Sequence, residues 1–408
     1  MKRERKRVLY FCNLLSDRII DERALRPTSM TCVARLVPTL RACREEGVNV
    51  WAVSLGRNRQ QSSWRWHPAK VSRIDGVPVA FAAFWDCPFW THIVSILSLG
   101  LIAWRLQRKT ITAVFWNAMP HYVLAFVATL FAGVHCVLDL EDGVRSDMQD
   151  IKSRIGARLV RYWDKQSIGA MVANSQLCDQ LVTRPVYCFY GVAPKVAVSR
   201  RWDQKLQVMF SGHLSAATGA RNLIGALEML KSQEWDPLSC FHFVIVGSGS
   251  LAREIEEAIA GPLSRDAEYR GAVSDREYRE LLLASHIGLC LKMPDHSIGQ
   301  TTFPSKVIEF ATFGLLVVSH RVSDVPLLFS DQTAYLLDEP TAESLGQALM
   351  QIAKQREDAK SRAERGRVAI TERLNPHSVA SELGFLWRAL PPGGCVPGNE
   401  HARTRGAE

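Results

Sequence analysis

The chain has 408 residues, roughly two to three times the usual domain size, so two domains with separate cores are expected. Its 47% apolar and 22% charged residues are ordinary for a soluble globular protein and exclude an intrinsically disordered chain. The net charge of +9 is uneven: residues 1–110 hold 19 Lys/Arg against 8 Asp/Glu, and with no nucleic-acid motif beside it the surplus points away from nucleic acid, towards an anionic membrane surface or a phosphorylated lipid acceptor.

The leading Met1-Lys-Arg-Glu-Arg-Lys-Arg runs straight into a strand predicted at Val8–Cys12, without the apolar stretch of a signal peptide, so a cytoplasmic location is expected. Ten cysteines with no C-x-x-C pair and no Cys/His ligand spacing read as reduced core thiols, not as a disulfide frame or a zinc site. Val33, Leu36, Leu40 and Cys43 recur at helical spacing within Thr31–Glu46, and Gly47 stops that helix. Strands are predicted at Val48–Leu55 and Val77–Phe84, then a helix over Ile93–Leu106, strand Ile111–Trp116, helix Tyr122–Phe131 and strand His135–Leu140. Such alternation implies a parallel sheet covered on both faces. The stretch Pro88–Arg105 is long enough to lie in a bilayer and short for a full span; it reads as a buried helix, an interfacial helix or a span.

In parallel sheets ligands bind beyond the C-terminal strand ends, so Asn117-Ala-Met-Pro-His121 and Glu141-Asp142-Gly143 are expected on one rim. His121 is a candidate to act on an acceptor hydroxyl, against a helix-capping role, and Glu141 with Asp142 against an N-cap and turn. Ile151–Ser167 reads as a basic amphipathic helix, Ala170–Asn174 and Val186–Tyr190 as strands, and Ala193–Asp203 as the linker.

The second half restarts with strand Gln207–Phe210, then Ser211-Gly212-His213-Leu214, then Thr218-Gly219-Ala220 opening a helix to Leu230. A glycine directly after a strand lets the backbone approach a ligand closely. Gly247-Ser-Gly249-Ser-Leu-Ala252 fits G-x-G-x-x-A, with Glu268 at ribose distance, so a dinucleotide enzyme is weighed. It would leave the later Thr301-Thr302-Phe303-Pro304-Ser305-Lys306 stretch unexplained. There a short helix is expected to open at Thr302-Phe303-Pro304 and stop at Gly314, before strand Leu315–Ser319. Lys306 beside the positive helix end would hold a diphosphate, and Glu309, one turn deeper, would accept hydrogen bonds from a ribose diol. The plainer reading is a Lys–Glu surface pair.

Three ordered motifs, Val208-Met-Phe-Ser-Gly-His-Leu with Thr218-Gly-Ala-Arg-Asn, Phe243-Val-Ile-Val-Gly-Ser-Gly, and Phe303-Pro-Ser-Lys-Val-Ile-Glu-Phe-Ala-Thr-Phe-Gly, together resemble the C-terminal half of GT-B glycosyltransferases, in particular the family 4 type. The resemblance implies an α/β fold with two Rossmann-like domains facing a central cleft: an acceptor-side domain over 1–194, a nucleotide-sugar-binding domain over 195–374, and a helix over 375–390 crossing back to the first; the Gly/Pro/charge-rich composition of 391–408 reads as a disordered tail. It implies a metal-independent, retaining, hexosyltransferase-like enzyme of bacterial-type surface polysaccharide or glycolipid synthesis. A nucleotide-sugar would be its substrate, with no separate cofactor, a lipid-linked acceptor, and peripheral membrane contact through the basic first domain. The donor would meet Gly212, His213, Lys292, Thr301, Thr302, Phe303, Ser305, Lys306 and Glu309, and the catalytic candidates are His121, Glu141 and Asp142. Asp139-Leu-Glu141-Asp142 also mimics the metal-holding acidic motif of GT-A transferases, which the GT-B-like motifs downstream disfavour. The chain departs from the family at three places: His213 and Thr218 stand where Arg and Lys are usual, and Thr301 stands where the first of two acids is usual. Two alternatives follow, a GT-B-fold nucleotide-sugar epimerase and a degenerate non-catalytic nucleotide-sugar-binding protein.

Overall fold

The computed structural model describes residues 7–25, 31–57, 63–141, 143, 151–234, 236–295, 299 and 302–388. It divides into two compact units, Met1–Val192 with Pro376–Glu408, and Ala193–Asn375.

The first unit contains β1 (Arg7–Cys12), β2 (Asn49–Ser54), β3 (Trp66–His67), β4 (Lys70–Ile74), β5 (Val77–Phe81), β6 (Phe84–Trp85), β7 (Thr110–Trp116), β8 (His135–Leu140), β9 (Gly169–Val172) and β10 (Val186–Cys188). Eight of them form one sheet in the order β10-β9-β8-β7-β1-β2-β5-β4, while β3 and β6 pair as a separate antiparallel ribbon. The sheet is not wholly parallel as expected from the sequence: β4 runs antiparallel to β5. Asp75 and Gly76, both at positive φ, make the two-residue turn between them, a conformation in which an Asp-Gly pair is favoured. Successive residues of β1 feed opposite layers, Val8 and Tyr10 one core and Leu9 and Phe11 the other, as the two-residue period of a strand requires.

The helix Pro376–Arg388 packs on helix Thr31–Glu45 in the first unit, burying Leu383, Leu386 and Trp387. Phe385, next to Leu386 in the sequence, points outward and is 38% exposed.

The second unit contains β11 (Leu206–His213), β12 (Phe241–Ser248), β13 (Ala267–Tyr269), β14 (Ile287–Cys290), β15 (Leu316–His320) and β16 (Tyr335–Leu337), in the order β13-β12-β11-β14-β15-β16 and parallel at every pairing. Helices cover both faces of this sheet, so the C-terminal strand ends open on a single rim.

In urea unfolding, Trp387→Ala should lower the stability of the first unit by about 3–5 kcal/mol, the usual cost of emptying a buried indole site. Phe385→Ala should stay within about 0.5 kcal/mol. Equal losses at the two positions would refute this seating of the helix.

Candidate functional site

At the rim of the second unit, β11 and β12 stay in register to Gly212 and Gly247. A β-carbon at position 247 would stand 1.9 Å from the Gly212 carbonyl oxygen, so only glycine permits this approach, whereas one at Gly212 would meet open space. Gly212 thus leaves room for a ligand against bare backbone. The turn that follows is held by a capping box between Ser215 and Thr218, whose hydroxyl also donates to the His213 carbonyl at 2.5 Å. His213 itself is exposed.

The helix expected to open at Thr302-Phe303-Pro304 instead runs from Lys306 to Thr312, with Ser305 at its N-cap. Pro304 lies before it and supplies a carbonyl to the Val307 amide at 3.1 Å. Gly314, at positive φ, stops it as the sequence predicts. Val307, Ile308, Phe310 and Ala311 are buried, and Phe310 lies so close to Gly288 that a β-carbon there would stand 2.4 Å from its ring. The inward face is thereby seated, and Lys306 and Glu309 are turned to the rim.

There the Lys306 ammonium donates to Glu309 Oε2 at 2.8 Å and to the Tyr278 hydroxyl at 2.5 Å. Tyr278 donates to the same carboxylate oxygen at 2.8 Å, and its hydroxyl lies 3.1 Å from Ser211 Oγ. The ammonium also sits over the Tyr278 ring, 4.3 Å from its centroid. Burial pushes the Tyr278 phenol up to about 12, with Lys306 opposing and Glu309 adding to the rise, so it stays protonated at neutral pH. For Lys306 burial works against the charge, but Glu309 and Tyr278 outweigh it and hold the ammonium above its ordinary value. One connected network therefore joins Lys306 and Glu309 to Gly212 through Ser211.

Tyr278 and Ser211 escape the sequence reading. The signals were Ser274, which caps the helix Asp275–Ala284 by accepting from the Glu277 amide and so puts Tyr278 in its first turn, and the position of Ser211 directly before the rim glycine. Lys292 donates to the carbonyl and hydroxyl of Thr302, fastening the loop that leads to Phe303 and Ser305. Gly247 and Gly249 pack against the backbone of Gly212 and Leu214, and Glu268 pairs with Arg270 and His242, so the residues of the dinucleotide reading serve packing and ion pairs. Thr301 and Asp142 lie outside the described residues.

In the first unit Glu141 accepts from Trp116 Nε1 at 2.6 Å and pairs with Arg35 at 3.4 Å. Asp139 is wholly buried, bonded to Tyr10 and paired with Arg35 at 3.3 Å. Burial raises its carboxyl, Arg35 opposes that, and Glu141 adds to it. Asn117, in a left-handed conformation, ties the two strand ends together by accepting from the Glu141 amide at 2.7 Å. His121 faces His92, ring nitrogen to ring nitrogen at 2.9 Å, and Arg57 donates to the same His92 Nδ1 at 3.1 Å. Because arginine can only donate, His92 Nδ1 accepts, and His121 must carry its proton on Nε2. Burial, then Arg57 and His92, bring His121 down to about 4, so it is neutral at physiological pH. His121 and Glu141 thus lie in the first unit with their contacts made inside it.

Residues 195–369 match the family model described as glycosyl transferases group 1. Solved structures share the fold over 94% of the chain. Sucrose-phosphate synthase from Thermosynechococcus elongatus has a TM-score of 0.68 at 12% identity, covering 94% of this chain and 98% of its own. The Anabaena protein HepE, in complex with UDP and glucose, has a TM-score of 0.67 at 12% identity, covering 94% and 100%. A curated relative, the amylovoran biosynthesis glycosyltransferase AmsK of Erwinia amylovora, is 25% identical over 189 residues; the match spans 46% of this chain and 46% of that relative, about half its length. The fold is that of the GT-B glycosyltransferases. Within that fold, the second unit carries the stretch, residues 195–369, that is similar to the group 1 glycosyl transferases.

A titration of the histidine rings followed by NMR should leave His121 neutral from pH 8 down to about 5. Because its folded pKa is depressed, the unfolded chain binds the proton first, and this group makes the fold less stable as pH falls from about 6.5 towards 4. A midpoint for His121 above pH 6 would contradict the arrangement with His92 and Arg57.

Proposed function

We propose that the protein transfers a hexose from a nucleotide-sugar, held by the second unit, to an acceptor held by the first. The observation that carries this is the Lys306–Glu309–Tyr278–Ser211 network on the C-terminal rim of a group 1 domain. An ammonium has three N–H donors, of which Tyr278 and Glu309 take two, so the third is available to a phosphate oxygen. Glu309 Oε2 accepts from both partners, and Oε1 is left for a ribose diol. Both roles can thus be filled without breaking the pair.

The chemistry required is stabilisation of a departing diphosphate and of a positively charged sugar-like transition state by fixed charges and dipoles. In this scheme the Lys306 cation receives the leaving group's charge, no metal or separate cofactor is needed, and the anomeric configuration is retained. Complexes of the fold neighbour HepE with UDP-glucose favour a uridine diphosphate sugar as donor. The basic first unit favours a lipid-linked acceptor of surface polysaccharide or glycolipid synthesis, reached at the cytoplasmic face of a membrane. Because Thr218 is engaged in a capping box where the family usually has a lysine, nucleotide-sugar binding without turnover is the second reading.

Donor consumption measured over a panel of UDP-sugars tests this. Lys306→Ala should lower kcat/KM by about 100-fold or more, the scale on which removal of one charge-stabilising donor acts. Tyr278→Phe should produce a smaller loss, since the Lys306–Glu309 pair survives it. Turnover unchanged in Lys306→Ala would remove this network from the site, and saturable binding with no consumption would select the second reading.

A further inference from the structure

The helix Trp90–Leu106 in the first unit is apolar on two faces, one packed on the core and one exposed. Its inward face combines Ser95, Leu99 and Ala103, all buried, with Ile102 and Leu106 packed against the core. Ser95 Oγ accepts from Arg57 Nε at 3.0 Å and Ser98 Oγ accepts from the Ala83 amide at 2.8 Å, so polar groups fasten the helix to the unit. The other face points away from the core: Trp90, Leu97, Leu101 and Trp104, spaced by seven, four and three along one helical face, are all among the exposed hydrophobics, Trp104 at 59%. The neighbouring helix Val123–Phe131 packs against it, with Leu124 directly over Gly100, and adds an exposed Leu124 and a Phe131 that is 87% exposed.

A continuous apolar face of this kind marks an interaction surface. Its chemistry selects the partner. Tryptophans stand at both ends of the stripe, as they do at the water boundary of bilayers, and the exposed Arg105, Arg108 and Lys109 follow at its C-terminal end. Between Asp86 and Asp139 the sequence has no Asp or Glu at all, so no acidic side chain of this segment opposes an anionic surface. Among the described residues no helix is long and apolar enough to cross a membrane.

We infer that this face lies in the interfacial layer of one leaflet of an anionic membrane, apolar side chains inward and the basic cluster at the headgroups. The inference deepens the reading of a membrane-linked acceptor, but it rests on the first unit alone.

The test is sedimentation of the full chain with phosphatidylcholine vesicles and with phosphatidylcholine–phosphatidylglycerol vesicles, without donor or acceptor. The wild type should pellet with the anionic vesicles and be released by salt. Leu101→Glu with Trp104→Glu should bind at least about tenfold more weakly, because two buried apolar groups become charges. As both positions are exposed, its thermal unfolding should match the wild type. Arg105→Gln with Arg108→Gln should retain binding in low salt and lose its preference for anionic lipid. A wild type that fails to bind anionic vesicles, a Glu variant that binds like the wild type, or light scattering showing a dimer dissolved by the Glu substitutions with no vesicle binding would overturn the inference. Vesicle binding without sugar transfer would leave this face in place while removing the transferase reading, and transfer without vesicle binding would do the reverse.

Discussion

The carbonyl of Gly212 occupies the space where a side chain at position 247 would begin. That contact lets β11 and β12 remain paired to their last residues and then turn side by side, the Leu214 amide reaching the Ser248 carbonyl at 2.9 Å and the Leu251 amide reaching Leu214 at 3.0 Å. The turn sets where Ser211 stands, and Ser211 meets Tyr278, which joins Lys306 to Glu309. Position 247 carries no chemistry of its own, yet any side chain there would part the strands and move the first link of the network.

The two rims use charge differently. In the first unit Asp139 is fully buried, and its carboxylate is closed on both sides by Tyr10 and Arg35, while Arg35 also donates to the Phe189 carbonyl and lies over the Phe189 ring. Charges that deep need complete compensation, and removal of one partner would leave the other stranded. In the second unit the Lys306–Glu309 pair is about a quarter exposed, so each partner is held in place by the other and still has capacity towards solvent. The first arrangement fixes a strand end. The second stays accessible from solvent.

Much of this was legible in the sequence where local signals and tertiary structure agree. Glycine after a strand, glycine after a helix and runs of β-branched residues placed the rim glycine, the stop at Gly314 and strands β1, β2, β5, β7, β8, β9, β10, β11 and β15 to within a few residues. The antiparallel β4 was missed although Asp75-Gly76 marks its turn, because the charged Lys70–Ile74 segment lacks the apolar run expected of a sheet interior. Lys306 and Glu309 were legible as a pair because helical spacing is local. Tyr278 was not, since it is 28 residues from Lys306 and reaches it only through the packing of separate elements. The same limit hid the engagement of His121 with His92 and Arg57, which decides its charge.

Periodicity has a further blind spot: it tells which residues share a face but not which face is inside. The spacing of Trp90, Leu97, Leu101 and Trp104 equally describes a core stripe, and the buried reading of this helix would follow from it. What decides the orientation is the opposite stripe, where Leu99 and Ala103 are buried and Ser95 and Ser98 hold hydrogen bonds to Arg57 and Ala83 that a leucine could not make. Burying a Leu or Trp side chain is worth about 1.5–3 kcal/mol, so a fold that turns several of them outward forgoes stabilisation that the reverse orientation would supply. Polar fastening of Ser95 and Ser98 on the inner side holds the outward orientation, and Trp90, Leu97, Leu101 and Trp104 stay exposed.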